Sequence, residues 1–130
     1  MIVADASAVA DVLLARPGAE RIRDVLACHT EVHVPEHFYV EVLSALRRHG
    51  IHGELGELRA AEALTGLDEL RVIPYPVRAL MDDIWSVRHE LTVYDAAYLA
   101  LARRLDVELA STDGALAGAA AADGRLAAGL

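Results

Sequence analysis

The chain alternates short apolar runs with stretches of helical spacing. Residues 1–4 form a run suited to a buried strand, ending at Asp5; residues 6–14 switch to helical period, and Pro17-Gly18 closes them. A second helix is predicted over 19–28, with Ile22, Val25 and Leu26 on one side, and a second strand over 32–34 before Pro35. Pro35 sits where a helix can start, and helical period runs over 36–48 until His49-Gly50 stops it. After a loop containing Gly50, Gly53 and Gly56, a helix is expected over 55–70, interrupted or ended near Gly66. A third strand over 71–73, helices over 77–89 and 92–105, a fourth strand over 107–110 and an Ala-rich helix over 115–122 follow. Residues 125–130 read as an edge strand or a frayed tail. Strands and helices in alternation, with crossovers long enough for parallel pairing, predict an α/β fold around a short parallel sheet. No linker, repeat or composition shift divides the chain, so 1–130 reads as a single domain.

Onto this scaffold fall four acids. Asp5 ends the first strand and Ser111-Thr112-Asp113 ends the fourth, where the ligand crevice of an open α/β sheet is expected. Asp95 stands in the first turn of a helix that is apolar nearly all round, a costly place for a carboxylate without a partner or a cation. Glu41 falls roughly 60° to one side of Phe38 on its helix, at the rim of the buried face. Each acid has a structural duty open to it. Asp5 and Asp113 can cap the helices that follow, Asp95 can join Thr92 in a capping-box-like arrangement, and Glu41 can be a solvated side chain. Together, however, four like charges near one edge repel and raise each other's pKa, a conflict that a divalent cation resolves. Oxygen-only ligands suit the hard ions Mg²⁺ or Mn²⁺, one or two of them, which can activate a water and stabilise charge on a phosphate. Ser7, Ser111 and Thr112 stand beside the acids, able to orient a carboxylate or water, or to cap helices.

Composition narrows the classes of function. Of 130 residues 55% are hydrophobic and only 5% aromatic, with mean hydropathy +0.29, so the chain can bury an aliphatic core despite a net charge of -8. All 12 basic residues are Arg, and the acidic balance argues against binding nucleic acid by overall charge alone. Arg47-Arg48 and Arg103-Arg104 are the local candidates for phosphate contact, with helix-end solvation as the alternative. There is no apolar run of the roughly 20 residues a membrane span needs, no signal-peptide pattern, and one cysteine, Cys28; the expectation is a cytoplasmic protein with no membrane partner.

Other constellations carry less. Cys28, His29, His33 and His37 do not share one helix face and have no second cysteine to suggest zinc. The glycine-rich 50–56 segment follows a helix rather than a strand, which denies it phosphate-loop context. Tyr94, Tyr98 and Trp85 suit core packing more than stacking.

Four segments resemble PIN-domain ribonucleases of the VapC toxin type: Met1-Ile2-Val3-Ala4-Asp5-Ala6-Ser7-Ala8, the 35–48 helix with Glu41-Val42-Leu43-Ser44-Ala45-Leu46, Tyr94-Asp95-Ala96-Ala97-Tyr98-Leu99-Ala100, and Ala110-Ser111-Thr112-Asp113. The resemblance spans nearly the whole chain in order, and the Tyr94 to Ala100 segment is its most specific part. It implies a three-layer α/β/α fold and an endoribonuclease whose Asp5, Glu41, Asp95 and Asp113 hold Mg²⁺ or Mn²⁺. It also implies a homodimer and inhibition by a cognate antitoxin. Ser111 stands where the family often has Thr, and Gly114-Ala115 where it often has polar or basic residues. Two other classes stay open: a catalytically silent PIN-like binding module, and a phosphotransfer enzyme with Asp5 as nucleophile. The second lacks the lysine of a receiver-type site and has Ser7 where a dehalogenase-like start needs an acid.

Overall fold

The computed structural model describes residues 1–53 and 55–130; Glu54, within the predicted glycine-rich loop, lies outside the described residues. Four strands, β1 (Ile2–Ala4), β2 (Val32–Pro35), β3 (Val72–Tyr75) and β4 (Leu109–Ala110), form one parallel sheet in the order β3-β2-β1-β4. Register is set by Val3 opposite His33 on one side and opposite Leu109 on the other. The helices between and after the strands are α1 (Ala6–Leu13), α2 (Ala19–Ala27), α3 (Phe38–Ile51), α4 (Glu57–Glu69), α5 (Met81–Ser86), α6 (Val93–Leu105) and α7 (Gly114–Ala122). This is the α/β architecture with a short parallel sheet that the alternating pattern predicts.

Both faces of β1 are covered. Ile2 packs with Ala110 and Ala127 against Val25 and Leu26, whereas Val3 belongs to the main core with Val34, Phe38, Leu99 and Leu109. Residues buried on both faces read as a continuous apolar run, which is why β1 shows no polar alternation. α6 is the central helix of the core: Ala96, Ala97, Tyr98, Leu99, Ala100, Leu101 and Ala102 are all buried. At roughly 1.5–3 kcal/mol for a fully buried leucine, this body fixes the position of the helix start that presents Asp95.

Several boundaries differ from the sequence reading. Gly66 does not break α4; a Cβ there would lie 2.9 Å from Leu13 Cδ2, so the glycine permits close approach of α4 to α1. The helix predicted over 77–89 is a 3-10 turn at Val77–Leu80 followed by the short α5. At its end the Val87 and Arg88 N–H groups bond the Ile84 and Trp85 carbonyls three residues back, and Ser86 Oγ and Arg88 Nη1 donate to the Asp83 and Trp85 carbonyls. β3 runs through Pro74 to Tyr75, which is tolerated because β3 is the sheet edge. The C-terminal residues add a single parallel bridge, Leu126 to Leu109, rather than a full strand. Among the described residues no helix is long and apolar enough to cross a membrane.

The strand order matters most for the site. The chain steps outward from β1 to β2 to β3, then returns to place β4 on the other flank of β1. The crevice beyond the carboxyl ends of β1 and β4 is therefore a topological switch point, with Asp5 leaving one strand and Ser111 to Asp113 the other.

Candidate active site

Asp5 is only 3% exposed, and both of its carboxylate oxygens accept hydrogen bonds. Oδ1 accepts from the Ala8 N–H at 2.8 Å, the N-cap of α1, while Oδ2 accepts from Ser7 Oγ at 2.7 Å and Ser111 Oγ at 2.6 Å. Burial pushes its pKa up to about 6, against the opposing hydrogen bonds and with help from the Asp113 charge. Ser111 Oγ also accepts from the Asp113 N–H at 3.1 Å, tying the loop after β4 to the end of β1.

Asp113 caps α7, its Oδ1 accepting from the Ala115 and Leu116 N–H groups at 3.1 and 2.9 Å. Asp95 sits half-buried at the start of α6. Thr92 Oγ1 accepts from the Asp95 N–H at 3.1 Å and donates to Asp95 Oδ2 at 2.8 Å. Burial raises the Asp95 pKa; Thr92 opposes this, the Asp113 and Glu41 charges reinforce it, and His37 lowers it. Glu41 Oε1 accepts from Tyr98 Oη at 2.9 Å, and His37 Nε2 lies 2.8 Å from the same oxygen but out of line for a hydrogen bond. Burial and the Glu41 charge in turn hold the Tyr98 phenol protonated far above its usual pKa.

The four acids predicted from the sequence thus come from the end of β1, from α3, from the start of α6 and from the loop after β4. All four line one cavity of about 170 Å³, together with Ser7, Tyr98 and Arg48. Capping and clustering are not exclusive: Asp5 and Asp113 do both. Among the described residues no three His, Cys, Asp or Glu side chains already converge into a metal cage. In particular, Cys28 is exposed and His33 Nε2 faces Glu31 at 3.3 Å, so the 28–37 group builds no zinc site. What the cavity offers is an all-oxygen donor set of like charges that raise each other's proton affinity, the condition a hard divalent ion relieves.

The sequence matches the PIN domain family model over residues 2–122. This chain belongs to the PIN-domain family. Within that family it is 38% identical over 113 residues to Ribonuclease VapC9 of Mycobacterium tuberculosis, the match covering 87% of this chain and 86% of that protein. Its fold is shared with the solved structure of Mycobacterium tuberculosis VapC20, a sarcin-ricin loop cleaving toxin, at TM-score 0.69 and 23% identity over 92% of this chain and 95% of that one. It is shared also with a toxin-antitoxin complex from Klebsiella pneumoniae, at TM-score 0.56 and 15% identity, covering 87% of each chain.

Of the residues in this PIN domain's site, Asp11 escapes the sequence reading, and His37, Tyr98 and Arg48 figure in it only in other roles. Asp11 lies one turn after Ser7 on α1, and Thr112 Oγ1 stands 3.0 Å from its Oδ2 and 3.1 Å from Ser7 Oγ. The single Thr112 proton goes to the stronger acceptor, the Asp11 carboxylate. His37, four residues before Glu41, shares its helical face and carried a detectable spacing signal. Tyr98 shares a helix face with Asp95, three residues before it, but its hydroxyl partner lies 57 residues away. Arg48, seven residues after Glu41, is with Arg47 a candidate for phosphate contact in the sequence, and it lines the acid cavity.

Proposed function

We propose that this PIN domain is a divalent-metal-dependent endoribonuclease that cuts RNA phosphodiester bonds as the toxin of a toxin-antitoxin pair. The observation that carries the reading is the single cavity lined by Asp5, Glu41, Asp95 and Asp113 in a chain whose relatives at this level of identity are named VapC ribonucleases. These four carboxylates would hold Mg²⁺ or Mn²⁺, one or two ions. Bound there, the ion supplies an activated water and neutralises charge on the phosphate under attack.

The chain's own residues do the rest. Ser7 and Ser111 hold Asp5 Oδ2 from two sides and fix the carboxylate orientation, as outer-shell donors do at metal sites. Tyr98 orients Glu41, and Thr92 orients Asp95. Near-complete burial and engagement of both Asp5 oxygens disfavour that residue as a covalent nucleophile. An antitoxin partner, a cytoplasmic place of action and a homodimer belong to the same proposal. The last is supported by exposed apolar side chains, Tyr39, Val40 and Leu43 on α3 with Met81 and Trp85 on α5. The silent binding module draws on one observation, the absence of a converged cage among the described residues.

Incubation with a structured RNA and Mn²⁺, with and without chelator, separates the two. The enzyme reading expects chelator-sensitive cleavage that Asp95→Asn abolishes while the metal-free fold stays intact or becomes slightly more stable. Intact RNA under all conditions, with Mn²⁺ still stabilising the fold, would establish the silent module instead.

A further inference from the structure

Beside the four-acid cavity lies a larger one of about 480 Å³. Ser7, Arg48 and Asp113 line both, so the two adjoin. The larger cavity is lined by Arg16, Arg48, His49 and His52 together with Asp11 and Asp113, so it brings guanidinium groups next to the acids. Arg16 is held by Asp11 at 3.4 Å and by the His49 ring at 3.2 Å. Arg48 differs from it. Exposed on α3, it makes no hydrogen bond or ion pair through its side chain among the described residues, although four carboxylates line the same cavity.

Position explains what this arginine can reach. Seven residues separate Arg48 from Glu41, two helical turns, so both side chains leave the same face of α3. Glu41 is directed to Tyr98 and the acid cavity, and Arg48 lines both that cavity and its larger neighbour. In a chain of net charge -8 an RNA strand is repelled on approach, and a local guanidinium next to the acids is the feature that offsets this. A guanidinium fork matches two phosphate oxygens at once.

We infer that the 480 Å³ cavity is the channel for the RNA backbone and that Arg48 binds the phosphate next to the bond being cut. This rests on the ribonuclease reading and adds the element that aligns the strand over the acids. Asp113 and Ser7, shared by both cavities, mark the border between the scissile phosphate and its neighbour.

The test is fluorescence anisotropy of a labelled, mixed-sequence 12-nucleotide single-stranded RNA in Mg²⁺ across a salt series. It is run in an Asp95→Asn background so that the strand stays intact. Adding Arg48→Gln should weaken binding about tenfold at low salt and flatten the dependence of log affinity on log salt by about 0.7, one phosphate contact. Arg48→Lys should keep the slope while losing part of the affinity, and Arg23→Gln, on α2 and lining neither cavity, should match the background. In the otherwise wild-type chain, Arg48→Gln should raise KM for RNA more than it lowers kcat. Equal slope and affinity for Arg48→Gln and the background would overturn the channel while leaving the ribonuclease reading in place. A wild-type chain that neither binds nor cuts RNA would overturn both.

Discussion

Ser111 donates its hydroxyl proton to Asp5 Oδ2 across 2.6 Å, joining positions 106 residues apart in the chain. This bond makes the switch point of the sheet a chemical site, because it fastens the loop after β4 to the buried carboxylate at the end of β1. Ser111 is itself 3% exposed, so the bond is made away from water. Its removal leaves a buried carboxylate short of a donor and frees the Asp113 N–H from its acceptor. Ser111→Ala should therefore cost about 1–3 kcal/mol, read from urea unfolding at pH 7, and Ser111→Thr should recover most of it. An alanine variant as stable as wild type would show that Ser7 and the Ala8 N–H suffice.

Asp5 gives the fold a pH dependence of definite sign. Its pKa is 3.8 in the unfolded chain and about 6 when folded, so the native state binds the proton more tightly and ionisation is costlier there. In chelator this group's penalty is present above pH 6 and disappears as pH falls toward 4, a gain on the order of 3 kcal/mol by linkage. Asp95, raised for the same leading reason, acts in the same direction. Urea midpoints of Asp5→Asn between pH 4.5 and 7 should lack most of the acid-side gain that wild type shows.

The pair that joins α6 to the end of α7 has the reverse sign. Arg103 Nε and Nη2 donate to the two oxygens of Asp123 at 2.5 and 3.0 Å, holding the Asp123 carboxyl below its usual pKa. Its contribution is present above the ordinary aspartate pKa and is lost as pH falls through the lowered value. Both side chains are partly exposed, so Arg103→Ala should cost under about 1 kcal/mol in unfolding experiments, and less in high salt.

Much of this site was legible in the chain. Asp5 closes an apolar run and Asp113 follows another, so strand ends alone placed both at one edge; Thr92 and Asp95 declared themselves by cap spacing. Tyr98 was not legible as a site residue, because its bond to Glu41 depends on how α6 crosses α3, which no local pattern encodes. Asp11 fell outside the motif but repeats the position of Ser7 one turn on, a signal that was present. Gly66 reads as a breaker in one dimension and as a helix-packing contact in three.

Tyr98 separates packing from chemistry. Tyr98→Phe keeps the ring in the core and removes only the donor to Glu41 Oε1, so the fold should lose about 1–2 kcal/mol while RNA cleavage falls further than stability accounts for. Unchanged turnover would show that Glu41 needs no donor from Tyr98.

Carboxylates from four parts of the chain are expected to hold divalent metal in common, as one or two ions. Calorimetric titration of Mn²⁺ into the wild-type chain and into Asp5→Asn/Asp95→Asn, with melting followed in parallel, tests this most directly. Wild type should show saturable binding and a rise in melting temperature, about 2.7 kcal/mol of stabilisation at 100 times the dissociation constant, and the double variant neither. Equal Mn²⁺ binding by both proteins would contradict this.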